Sequence, residues 1–182
     1  MTTPDPLDAP TAALAAAVLE VARHVAEEPL PAPRWFALAR VSELLAASPS
    51  LASLLGVEEA AAGESAADEH ALTPVDLDDA AAAGPGTAPT DPLEGLASIA
   101  WPDLAVGGAL ACDLAASAWT VRAEEGQETL PAGSTLRIVV AALEDGTTWS
   151  AVRRPGGDGF VLGEALVPEL SSALLQSLRE DG

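Results

Sequence analysis

The stretch from Ser134 to Arg154, STLRIVVAALEDGTTWSAVRR, constrains this chain more than any other. Two apolar runs, 135–143 and 147–154, flank an Asp145-Gly146 pair, the favoured sequence of a two-residue type I′ hairpin turn. A hairpin commits two strands to antiparallel pairing, so an antiparallel sheet is expected. With Asp145-Gly146 central, Ile138, Val140 and Ala142 fall on the same face as Trp149 and Ala151, and that face reads as core.

Other elements follow from periodicity. TAALAAAVLEVARHVAEE places Leu14, Val18, Val21, Ala22 and Val25 on one helical stripe, with Thr11 as N-cap. PLPAP then forces an extended connection, followed by a strand over 34–41. Ser42 caps a helix over 43–56, broken at Pro49 and closed by Gly56. Residues 57–90 are rich in acid, alanine, glycine and proline and read as a flexible insert, with Leu72, Pro74, Val75 and Leu77 as its one sticky segment. Asp91, Pro92 and Glu94 form a capping-box helix start. IAWPDLAVGGALACDL reads as a helix end, a proline break and a strand whose alternation runs through Val106, Gly108, Leu110, Cys112 and Leu114, with Asp113 on the other face. Phe160 to Leu162 lead into a last helix that has Pro168 at N1 and aligns Leu170, Leu174 and Leu178. The expected fold is α+β: a small, mainly antiparallel sheet covered on one face, packed against N- and C-terminal helices. Residues 1–10 read as a disordered start, and 11–182 as one domain carrying the flexible insert.

Charge narrows the partners. Twenty-eight acidic side chains against eight arginines give −20, a field that repels nucleic acid. The start, MTTPDPLDAP, lacks a basic n-region, and no apolar run reaches the 18 or more residues of a membrane span, so a cytoplasmic chain without membrane insertion is expected. The single cysteine, Cys112, agrees with a reducing compartment. Lysine, asparagine and tyrosine are absent while alanine, glycine and proline abound, as in a very GC-rich genome.

RWFAL at 34, LTPVDLDD at 72, IAWPDLAVGGAL at 99, LRIVVAALEDG at 136 and ALVPELSSAL at 165 together resemble a family of small uncharacterised actinobacterial proteins with an Ile-Ala-Trp-Pro-x-x-x-Val-Gly-x-Ala-Leu pattern. The resemblance covers nearly the whole chain from about residue 12, although Leu104 here precedes Ala105 and Val106. It implies no activity, ligand or catalytic residue, and an accessory role. The element order is also similar to secretion-chaperone-like folds, which are small acidic partner-binding dimers.

Several chemistries are excluded outright. Without lysine there is no P-loop and no Schiff-base nucleophile, and G-x-S-x-G, H-E-x-x-H and paired C-x-x-C motifs are all missing. Gly107-Gly108 lacks a dinucleotide-loop context and reads as small residues against which another element packs. Cys112 with His24 or His70 would make a thiol–imidazole pair, but a buried apolar cysteine is favoured. His24, one turn after Glu20, reads as a surface histidine. Asp68, Glu69, His70, Asp76, Asp78 and Asp79 offer oxygen ligands, yet Ala81 and Thr87 stand where a calcium loop needs glycine and glutamate. Arg153 and Arg154 beside PGGDG suggest an anion nest, read against a solvated hairpin end. Trp101 and Trp149 are expected inside, and Trp35 and Trp119 at an interface.

No catalytic set, cofactor or metal is expected. The leading reading is a non-enzymatic protein-interaction module, adaptor or chaperone-like, with a protein partner or a homodimer. The alternative is a small-molecule binder or enzyme, with a pocket between sheet and helices anchored by Arg34, Arg40, Arg137 or Arg153.

Overall fold

A computed structural model of the protein describes residues 8–27, 30–47, 50, 69–77, 91–115, 133, 135–154 and 159–180. The expected disorder of residues 1–7, the second half of the helix over 43–56, most of the 57–90 insert, and Trp119 lie outside those residues. The described elements are α1 (Ala9–His24), β1 (Arg34–Arg40), α2 (Val41–Ala47), β2 (Leu72–Asp76), α3 (Pro92–Leu96), β3 (Ala105–Ala115), β4 (Thr135–Leu143), β5 (Thr148–Arg153), β6 (Val161–Gly163) and α4 (Pro168–Glu180). The fold is α+β, with one antiparallel six-stranded sheet in the order β2-β1-β3-β4-β5-β6 packed against N- and C-terminal helices.

Both faces of the sheet are covered, not one. α1 lays Leu14, Val18, Val21 and Val25 on Phe36, Leu38, Ala109, Ala111, Val139, Ala141 and Ala151. On the opposite face, α4 brings Leu170, Leu174 and Leu178 onto Leu110, Cys112, Ile138, Val140, Ala142 and Val152, with Leu96 of α3 alongside. Five consecutive buried residues in β1 and six in β3 are the signature of strands enclosed on two sides, and they explain the poor alternation of RWFALAR. The N-terminal helix starts earlier than Thr11, at Ala9, with Asp8 in the N-cap position.

The hairpin turn differs from the expected type. Gly146 has φ 101°, but Asp145 does not enter the positive-φ region that type I′ requires at both central residues. Instead Gly146 N–H donates to Leu143 O (3.0 Å), Leu143 N–H to Thr147 O (2.9 Å) and Thr147 N–H to Asp145 Oδ1 (2.8 Å). This is a three-residue loop, a type I turn followed by a left-handed glycine. The extra residue shifts the register to Ala142↔Thr148 and Val140↔Ser150. Ile138, Val140 and Ala142 therefore share a face with Ser150 and Val152, while Trp149 and Ala151 join Val139 and Ala141 under α1.

The sticky segment of the insert is a strand. β2 pairs with β1, Leu38 opposite Pro74, and makes one edge of the sheet. Hydrogen bonds from Leu77 N–H to Trp35 O and from Val41 N–H to Ala71 O place the bonded positions at the odd residues of β1. Pro74 thus falls at a non-bonded position, its hydrogen-less nitrogen turned off the sheet.

The two glycines make room for different neighbours. A Cβ on Gly108 would lie 2.6 Å from Trp101 Cζ3, and one on Gly107 would strike the Ala142 carbonyl. Trp101 is half-buried against the α4 face and its Nε1–H donates to Ser177 Oγ (3.3 Å). Trp149 is half-buried on the α1 face.

Candidate functional site

At one end of the α1 face the strands align a row of charge. Asp113, Arg137 and Arg153 occupy facing positions on β3, β4 and β5. Arg137 donates twice to Asp113, from Nε to Oδ1 and from Nη2 to Oδ2, both 2.8 Å. Its Nη1 reaches Val25 O (2.5 Å) and Ala26 O (3.1 Å), and Arg153 Nη2 also donates to Ala26 O (3.1 Å). Two guanidinium groups therefore close the carboxyl end of α1, whose last carbonyls have no partner within the helix. The Asp113 hydrogen bond holds the Arg137 pKa above its ordinary value against the opposing effect of burial. In the same region Arg34 pairs with Asp76 of the edge strand, and its guanidinium stands 5.7 Å from the Phe36 ring centre.

Each arginine of the small-molecule alternative is engaged by other parts of the protein, three of them at this end of the sheet. Arg34 meets Asp76, Arg137 meets Asp113 and α1, and Arg153 meets Ala26 and the Phe160 ring, 5.4 Å from its centroid. Arg40 lies at the other end of the sheet, donating to Glu69 O (3.4 Å) and 3.9 Å from Glu43. Arg40 lines a depression of about 190 Å³ with Pro10, His70, Leu72, Val106, Leu143, Glu144 and Asp145, which is smaller than the roughly 300–1,000 Å³ of typical ligand pockets. Of the expected anion nest, Arg153 is engaged as above, Arg154 is half-buried, and residues 155–158 lie outside the described residues.

The other sequence candidates are scattered. Cys112 is buried in the α4 core, and desolvation with the neighbouring Asp113 pushes its thiol up to about 12, so it is held as the neutral thiol. His24 packs edge-on to Phe36, across the sheet from Cys112, and His70 sits 3.7 Å from Glu69 at the rim of the depression. Of the six candidate ligand positions, Asp76 is tied to Arg34, Glu69 neighbours His70, and Asp68, Asp78 and Asp79 lie outside the described residues. No group of three or more metal-ligating side chains occurs among the described residues. Trp35 is 8% exposed, and its indole fills the space over Gly95 of α3.

One feature of the sheet carries little signal in the sequence. β6 forms the other edge of the sheet, and Val161 and Leu162 are 46% and 39% exposed. Since Leu143 bonds Thr147, the odd residues of β5 face β4 and its even residues, Ser150 and Val152, face β6. Their partners Gly163 and Val161 turn their amides inward, leaving the N–H and C=O of Leu162 pointing off the sheet. Among the described residues no strand pairs with that side. The signal lay in a short Phe-Val-Leu run between a glycine-rich tip and the start of α4.

No helix among the described residues is long and apolar enough to cross a membrane. Comparison with curated proteins and with solved structures finds no match to the chain. Residues 14–179, from the first turns of α1 to the last of α4, match the PPA1309-like protein family, and the chain belongs to it.

Proposed function

We propose that this protein is a non-enzymatic, cytoplasmic protein-interaction module that receives its partner along the β6 edge. One observation carries the reading: an edge strand whose outward backbone groups are flanked by two exposed apolar side chains, Val161 and Leu162. Edge strands are normally blunted by charge, proline or a covering element because an open one templates strand addition. An open apolar edge is thus a liability unless a partner covers it. The charge supports a protein partner over nucleic acid, since −20 repels polyanions.

A photo-crosslinking side chain placed at Val161 in the native cell tests this. The expected result is one partner protein recovered repeatedly from Val161 and not from an exposed site remote from β6, such as Leu93. Equal yields from both sites would refute the reading.

A further inference from the structure

We infer that the partner of β6 is an extended segment of a different protein that adds antiparallel to the sheet with an apolar residue opposite Leu162 and a basic residue beside Glu164, in the turn that follows β6. The inference rests on the protein-interaction reading above and specifies its chemistry. Three observations point to it. Leu162 directs both backbone groups off the sheet, which is what a hydrogen-bonded antiparallel pair requires of its central residue.

The two ends of the sheet are also unlike. At β2 the proline Pro74 removes a donor from the open side, whereas β6 has no proline or lysine and exposes Val161 and Leu162. Finally, charge selects the occupant. On the face that carries Leu162, the Arg153 guanidinium is turned onto Ala26 and the Phe160 ring, while Glu164, in the turn that follows β6, is exposed. A second copy would bring another chain of −20 to this edge, whereas a basic segment is attracted to it. Extending the three-residue register of β6 to the residues on either side of it, the incoming strand reads basic, any, apolar, any, apolar: its third position pairs with Leu162, its first comes beside Glu164 in the turn after β6 and its fifth beside Phe160.

The probe is the peptide acetyl-Arg-Thr-Val-Thr-Val-Thr-amide, titrated into the full chain with amide NMR as readout. The expected result is a saturable shift of the Leu162 amide. Methylating the backbone nitrogen of the first peptide valine, which faces Leu162 O, weakens binding about tenfold, while methylating the following threonine, which faces away, leaves it unchanged. Glu164→Arg weakens this peptide about threefold and favours the peptide with glutamate in place of arginine. Equal tolerance of both methylations overturns strand addition. A chain that sediments as a dimer until Leu162→Pro is introduced assigns the edge to a second copy and overturns it as well. If cross-links from Val161 still return a partner while the peptide results fail, the strand inference falls and the protein-interaction reading stands.

Discussion

Replacing Gly108 by alanine tests whether that glycine exists to seat Trp101. The added Cβ would stand 2.6 Å from Trp101 Cζ3, about an ångström inside ordinary carbon–carbon contact. Trp101 cannot swing away freely, because its Nε1–H is held by Ser177 of α4 and its ring packs on the α4 core. Overpacking of this kind costs about 1–3 kcal/mol, and the gain from removing a strand glycine offsets roughly 0.5–1 kcal/mol of it. A net loss of about 1–2 kcal/mol is expected in urea unfolding followed by far-UV circular dichroism, a signal that does not depend on the indole. The decisive measurement is the double-mutant cycle with Trp101→Leu. That single change leaves a void and destabilises by about 2–3 kcal/mol, but in its presence the alanine methyl has room, so Gly108→Ala becomes neutral or stabilising. The coupling between the two sites is then about 1–2 kcal/mol. Strictly additive effects would refute the claim that the indole is what excludes a side chain at Gly108.

Three further outcomes follow from local geometry. Ala165, between β6 and α4, has φ 47°, so Ala165→Gly is expected to stabilise by about 0.5–1 kcal/mol in the same urea assay by relieving a conformation that glycine adopts without strain. Arg137→Leu strips Asp113 of its bidentate partner and α1 of one of its two closing guanidinium groups, and a loss of about 2–4 kcal/mol is expected, with faster hydrogen exchange in the last turn of α1 as its local signature. Partial desolvation on the surface of α1 raises the pKa of the exposed Glu20 above its ordinary value in spite of the opposing pull of His24, so its small contribution to stability is complete below the ordinary carboxylate range and is lost as pH rises through the raised value. Glu20→Gln should therefore raise the melting temperature at pH 7 relative to the parent and lose that advantage near pH 4.

How much of this was legible in the chain depended on how many contacts set each feature. The α4 face, Leu170-Leu174-Leu178, and the Asp91 cap, which accepts from Leu93 N–H at 2.8 Å, were readable because a few neighbouring residues determine them. The hairpin was readable as a hairpin but not in register. Asp-Gly serves both the two-residue and the three-residue loop, and the two differ in whether Asp145 takes positive φ. Flanking residues usually break such a tie, because a one-residue slip exposes the core face. IVVAAL could not break it, since a strand enclosed between α1 and α4 is apolar at every position and either register buries it. β2 was illegible for a different reason: LTPVD contains a proline and sits in acidic, alanine-rich sequence, and what makes it a strand is pairing with β1 more than thirty residues earlier.

The same contrast between local and distant causes bears on the two edges. At β2 the device that ends the sheet is written into the strand, since Pro74 alone withdraws the donor. At β6 the strand ends after three residues because the chain must turn through Ala165 into α4, and Leu166 crowds Gly163 at that corner. Shortness is itself a protection against promiscuous pairing, yet it leaves Leu162 with both backbone groups outward and an apolar side chain on each flank. An edge that is short and apolar selects by side chain more than by length, because so few backbone bonds are available to any incoming strand. On the strand-addition proposal, the charge beside Glu164 and the residue opposite Leu162, rather than strand propensity in general, therefore select the incoming segment.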